Sequence, residues 1–154
     1  MGDSIKVVKA DRVDDELIEA MKGLVPQLST SASVPTPAQL REIVESSCTT
    51  LLLARDHSLS DKIIGMLTLA VFRIPTGIRA WIEDVAVDGS ARGKGAGEAL
   101  SREALRIACE LGSRTVELSS KPSREAANRL YQRLGFAQRD TNVYRYAIER
   151  GGAG

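Results

Sequence analysis

The sequence predicts an α/β (α+β) chain: a mixed, mainly antiparallel sheet with helices packed on both faces. Three observations predict it. Apolar residues recur with strand and helix periods in the order β-α-α-β-β-β-α-β-α-β. Three alternate glycines, Gly93, Gly95 and Gly97, separate a strand-like run from the clearest helix. The composition, 43% hydrophobic and 27% charged, is that of a soluble globular chain, which excludes disordered, collagen-like and disulfide-scaffold classes. At 154 residues the length suits one domain, expected over residues 1–150 with a disordered tail at 151–154.

Ile5-Lys6-Val7-Val8-Lys9 reads as a first strand. Residues 14–24 place Leu17, Ile18, Met21 and Leu24 at helical spacing. Residues 26–37 hold three prolines and five Ser/Thr, which predicts an exposed loop. Thr36 or Pro37 opens a second helix over residues 38–46. The apolar runs 49–54 and 63–71 flank a polar turn and form a hairpin. Pro75-Thr76-Gly77 marks the next turn, and residues 81–87 a further strand. In residues 98–111, Leu100, Ala104, Ile107, Ala108 and Leu111 share one helix face, opposite Arg102, Glu103, Arg106 and Glu110, and Gly112 supplies a stop. A short strand at 115–118 precedes a helix at 124–134, capped by Ser123 and ended by Gly135. Residues 143–148 close the chain as a strand.

Lys and Arg number 21 against 20 Asp and Glu, a net charge of +1, so neither nucleic acid nor a membrane surface is an expected partner. No apolar run approaches the ~20 residues of a membrane span. The first six residues lack the apolar core of a signal peptide, and a cytoplasmic location is expected. Cys48 and Cys109 are expected as free, partly buried thiols, Cys109 packing within its helix. His57 is the single histidine and lies in a polar turn. A structural zinc site needs about four Cys/His ligands, so no metal is expected. Ser-His-Asp and Cys-His catalysis would both have to rest on this turn histidine.

The chemistry concentrates in Val85-Ala86-Val87-Asp88-Gly89-Ser90-Ala91-Arg92-Gly93-Lys94-Gly95-Ala96-Gly97. Glycines at a helix start admit a ligand to backbone N–H groups that lack helical partners, at the positive end of the helix dipole. Arg92 and Lys94 add charge, and together these features predict a phosphate site. A P-loop is excluded, because three residues separate Gly89 from Gly93 and Gly95 stands where Ser/Thr should follow the lysine. The dinucleotide fingerprint needs Gly-x-Gly-x-x-Gly, and here the spacing is Gly93-x-Gly95-x-Gly97.

Arg92-x-x-Gly95-x-Gly97 after Val85-x-Val87 resembles the pyrophosphate-binding motif of the GNAT family of N-acetyltransferases. Ala127-Asn128-Arg129-Leu130-Tyr131-Gln132-Arg133-Leu134-Gly135-Phe136 resembles the family's second signature, in the family's order. The resemblance spans residues 49–148 and implies acetyl transfer from acetyl-CoA to an amine by direct attack. It also implies that Val85, Val87, Arg92, Gly93, Lys94, Gly95, Ala96, Gly97 and Asn128 meet the coenzyme. The family often has Asn seven residues before the tyrosine. Here that position is Arg124, which either meets a coenzyme phosphate or is solvated, and Asn128 lies one helical turn on.

Glu83 and Asp84 interrupt the apolar strand 81–87, and strand parity sends them to opposite faces, a separation that a β-bulge here would upset. A half-buried carboxylate near a second one suits a base. Ile82-Glu83-Asp84-Val85 also resembles the corresponding strand of polyamine and glucosamine-6-phosphate N-acetyltransferases. Glu83 is the expected base, with Asp84 or a water as rival. The resemblance implies that Tyr131 is the acid for the leaving thiolate and that the Val85 N–H is a donor to the thioester carbonyl. Phe72, Trp81, Tyr144 and Tyr146 read either as lining of the acceptor pocket or, as such residues more often are, as core, and stand outside the expected site. The expected function is N-acetylation of a primary amine on a small molecule or protein, and a homodimer is the family-level expectation. A non-catalytic acyl-CoA sensor or interaction module is the alternative, and a nicotinamide oxidoreductase a distant third.

Overall fold

The structure is a computed structural model that describes residues 4–150. The expected disordered tail, residues 151–154, lies outside the described residues. Five strands form one sheet in the order β1-β2-β3-β4-β5. They are β1 (Ile5–Lys9), β2 (Thr49–Asp56), β3 (Lys62–Ile74), β4 (Gly77–Val87) and β5 (Val116–Glu117). The first four pair antiparallel, and β4–β5 is parallel. The helices are α1 (Asp15–Leu28), α2 (Pro37–Glu45), α3 (Ala96–Glu110) and α4 (Glu125–Arg133). None of them is long and apolar enough to cross a membrane.

Alternation along β2 divides the core. Leu52 and Ala54 join the cluster under α3, with Ile64, Leu67, Leu69, Ala80, Ile82, Leu100, Ala104 and Ala108. Leu51 and Leu53 join the opposite cluster, with Leu17, Met21 and Leu24 of α1 and Leu40 of α2. The helices therefore flank both faces, as the sequence predicts.

Local chemistry explains the boundaries. Asp14 caps α1 by accepting from the Leu17 N–H at 2.9 Å. Thr36 and Gln39 satisfy one another's backbone N–H groups in a capping box that opens α2, an arrangement of the kind worth about 1 kcal/mol.

Several expectations need correction. α1 continues through Pro26 to Leu28, so the connecting loop is residues 29–36 rather than 26–37. Proline forfeits one ladder bond, but it sits in the last turn, and the apolar stripe of Leu24, Val25 and Leu28 still faces the core. Ser123 does not cap α4. Arg124 holds that position, with no side-chain cap. Residues 143–148 form no strand, and their large apolar side chains stand in solvent. Phe72, Tyr144 and Tyr146 are exposed rather than core, and Trp81 is half-buried. Cys48 and Cys109 are free but exposed, not partly buried.

Candidate active site

β4 and β5 touch only where Ala80 faces Val116 and Trp81 faces Glu117. Among the described residues, β4 has no strand on that side from Ile82 to Val87. This unpaired length begins where β4 is irregular. Glu83 pairs with Thr68 and Ala86 with Met66, so three steps of β4 oppose two of β3. The extra residue is a β-bulge, and Asp84 within it takes φ 51°. Such left-handed backbone is uncommon for residues with a side chain, though Asp tolerates it better than most. The bulge inverts the pleat. Ala80 and Ile82 belong to the cluster under α3, whereas Ala86 belongs to the cluster under α1 and α2.

The bulge corrects the reading of the two carboxylates. Parity would bury one of them, but both Glu83 and Asp84 are exposed, so the half-buried carboxylate expected there is absent. Glu83 is nonetheless oriented. Its Oε1 accepts from the Trp81 indole N–H at 2.6 Å, two residues away on the same strand face. Val85 and Val87 follow, both half-buried.

Beyond β4, Asp88 accepts from the Ser90 backbone N–H and hydroxyl and so shapes the turn. Gly93 and Gly95 take φ 84° and 85°, and open space lies where their Cβ atoms would be. Gly95 caps α3 in left-handed backbone with no side-chain bond to the first helical N–H groups. Those donors therefore remain for a ligand. Ala96 opens the helix with its methyl group buried in the core. The Arg92 guanidinium is exposed and has no ion-pair partner among the described residues.

Lys94 and Gly97 also have partners within the molecule. Lys94 Nζ is bound to Asp56 Oδ2 at 2.8 Å instead of standing free for an anion. Asp56 is fully buried and also accepts from the Ser58 N–H and hydroxyl. The Lys94 hydrogen bond, followed by those from Ser58, lowers its pKa to about 2. Asp56 continues the parity of Leu52 and Ala54 toward α3, so the pair ties the glycine turn to the sheet. A Cβ on Gly97 would approach Leu130 Cδ2 to 3.2 Å, so this glycine lets α3 and α4 approach closely. Asp56 is a residue that the sequence reading missed at this site, and Trp81, read as pocket lining or core, proves to be the hydrogen-bond partner of Glu83. The signal for Asp56 was the alternation of β2 carried two residues past Ala54.

Tyr131 follows Leu130 on α4 and meets Phe136 edge to face at 5.7 Å. Burial raises its hydroxyl pKa, partly offset by the positive charge of Arg124. Asn128 donates to the Lys121 carbonyl at 3.0 Å and braces the loop before α4. The contact of Gly97 with Leu130 therefore brings the glycine turn and the tyrosine helix together. No hydrogen bond joins Tyr131 to Glu83 or Asp84 among the described residues.

A sheet that parts beyond a bulged strand, beside a glycine turn at a helix N-terminus, defines an N-acetyltransferase-type α/β fold. The chain belongs to the acetyltransferase (GNAT) family, whose sequence profile matches residues 16–136. It is similar in structure to an aminoglycoside acetyltransferase from an uncultured soil metagenomic sample, solved with sisomicin. The two share 19% identity and a TM-score of 0.81 over 96% of this chain and 98% of that one. A Trypanosoma brucei acetyltransferase gives 21% identity and a TM-score of 0.72 over 93% and 99%. An aminoglycoside N-acetyltransferase solved with CoA gives 17% and 0.75 over 93% and 94%. At such identities the likeness shows the fold. No curated protein sequence matches the chain.

Proposed function

We propose that this chain transfers the acetyl group of acetyl-CoA to a primary amine of a small molecule or protein by direct attack. The observation that carries this reading is the turn from Arg92 to Gly97. It combines an unpaired guanidinium, two glycines in left-handed backbone with open space above them, and an uncapped helix start. This donor set fits a pyrophosphate. Bound there, acetyl-CoA would supply the thioester carbonyl that the amine attacks.

The chain's own residues then have defined tasks. Glu83, fixed by Trp81, takes the proton from the acceptor ammonium, and Asp84 adds a second exposed carboxylate that favours a cationic acceptor. The Val85 N–H polarises the carbonyl from the unpaired length of β4. Tyr131, kept protonated by its burial, gives its proton to the departing sulfur. Lys94 holds the turn in place through Asp56.

The test is acetyl-CoA consumption across an amine panel that includes aminoglycosides, the acceptors named for two of the structural neighbours. Turnover with at least one amine is expected. Glu83→Gln is expected to lower it more than Asp84→Asn, with the loss shrinking toward pH 9 as the amine, of pKa about 10.4 for a lysine-like group, deprotonates unaided. CoA binding with no turnover on any amine would favour the non-catalytic sensor instead.

A further inference from the structure

One face of the β3–β4 hairpin is open. Thr68, Ala70 and Phe72 continue the parity of Met66, which packs under α1. They lie opposite Glu83, Trp81 and Arg79, which alternate with Ala80 and Ile82 of the cluster under α3. α1 covers this face at Met66 and Ala86, on the far side of the bulge. None of the six residues belongs to either core cluster. Thr68, Ala70 and Trp81 are half-buried, and Phe72, Arg79 and Glu83 are exposed. The face is a platform that begins at Glu83 and runs away from it to the β3–β4 turn.

Its charges are sorted by sign. Glu83 and Asp84, both exposed, mark one end. Arg79 marks the other and has no ion-pair partner among the described residues. A third carboxylate, Glu117, is in register with Trp81 and is held by Arg139 at 2.7 Å. Between the ends stand the Trp81 indole, with Ala70 opposite, and the Phe72 ring, opposite Arg79. The indole N–H is engaged by Glu83, so the rest of that ring offers apolar surface. Four residues of strand, about 13 Å, separate Arg79 from Glu83. An extended tripeptide spans at most about 10 Å from amine to carboxylate, and the two side chains supply the remainder.

We propose that this platform seats an acceptor amine that carries a carboxylate about 10 Å away with an apolar body between, as in a short peptide with a free N-terminus. The amine meets Glu83, the body lies on Trp81 and Phe72, and the carboxylate meets Arg79 in a charge-assisted pair. A polycation of the same length sets a positive charge against Arg79 and is disfavoured. That the docked amine is the acceptor rests on the acetyl transfer proposed above; docking itself is measured without turnover.

Trp81 is the single tryptophan of the chain, so its emission reports on the middle of the platform. The probe is a tripeptide with a central phenylalanine, titrated as the free acid and as its C-terminal amide. The native protein is expected to bind the acid roughly fivefold more tightly than the amide, the upper range of an exposed ion pair. Arg79→Gln is expected to bring the two affinities together with unchanged far-UV circular dichroism, and Arg79→Glu to reverse their order. Docking with this preference but no acetyl transfer to the tripeptide would count against the transfer and leave the docking surface standing. Equal affinities in the native protein, a preference that persists in Arg79→Gln, or no response of Trp81 to millimolar tripeptide overturns the proposal.

Discussion

Lys94 is a cation that the fold has committed to a buried anion, and this fixes how the glycine turn responds to acid. Asp56 has its pKa lowered to about 2 by Lys94 and then by Ser58. An unfolded aspartate titrates near 3.9. The pair therefore stabilises the native state fully above about pH 4, and its contribution is lost as pH falls through about 2. Asp56→Asn should lower the melting temperature by a constant amount between pH 7 and pH 5. That gap should close between about pH 4 and pH 2, as the parent's own carboxylate becomes neutral. A gap of unchanged size at pH 2 would show that Asp56 acts by packing alone. Tyr131 poses the converse question, because its burial favours the neutral phenol. Tyr131→Phe keeps the edge-to-face contact with Phe136 and removes only the hydroxyl. Turnover should fall by roughly 10²-fold or more, the general-acid range, with little change in CoA affinity. Parental turnover in this variant would reduce the tyrosine to a packing residue.

At the scale of elements, the turn into α3 depends on backbone that side chains resist. Gly95 has φ 85° at the helix cap. A β-branched residue is a genuine outlier there and would crowd the space above the turn. Gly95→Val should abolish CoA binding measured by calorimetry while circular dichroism retains the helices. Retained affinity would place the pyrophosphate elsewhere. How far these elements could be read in advance follows from their physics. β1 was legible residue for residue, since Ile5, Val7 and Val8 are β-branched residues that favour a strand. The Gly93–Gly97 turn was legible because few other structures need three alternate glycines. The β4 bulge was legible only as the feature that would upset the parity of Glu83 and Asp84; parity counts assume an unbroken pleat, so its presence there came from the structure. Asp56 was read as a turn residue because a carboxylate between a strand and a histidine is ordinarily solvated. Residues 143–148 have a strand's pattern, but a pattern names no partner, and within one chain none is taken up.

For the molecule as a whole, the sheet joins parts of unequal sequence reach. β2, β3 and β4 follow one another through two short connections, and each pairs with its predecessor. The parallel β4–β5 junction requires the glycine turn and all of α3 to cross the sheet first. Closing short loops costs less chain entropy than closing long ones. In kinetic terms, the two-residue junction that bounds the cleft should be the last pairing to form. Pulsed hydrogen exchange during refolding is expected to protect the amides of Leu67 and Leu69 before those of Val116 and Glu117; simultaneous protection would refute that order. A chain folding in this order would carry Glu83 on a finished meander before α4 brought Tyr131 beside the glycine turn.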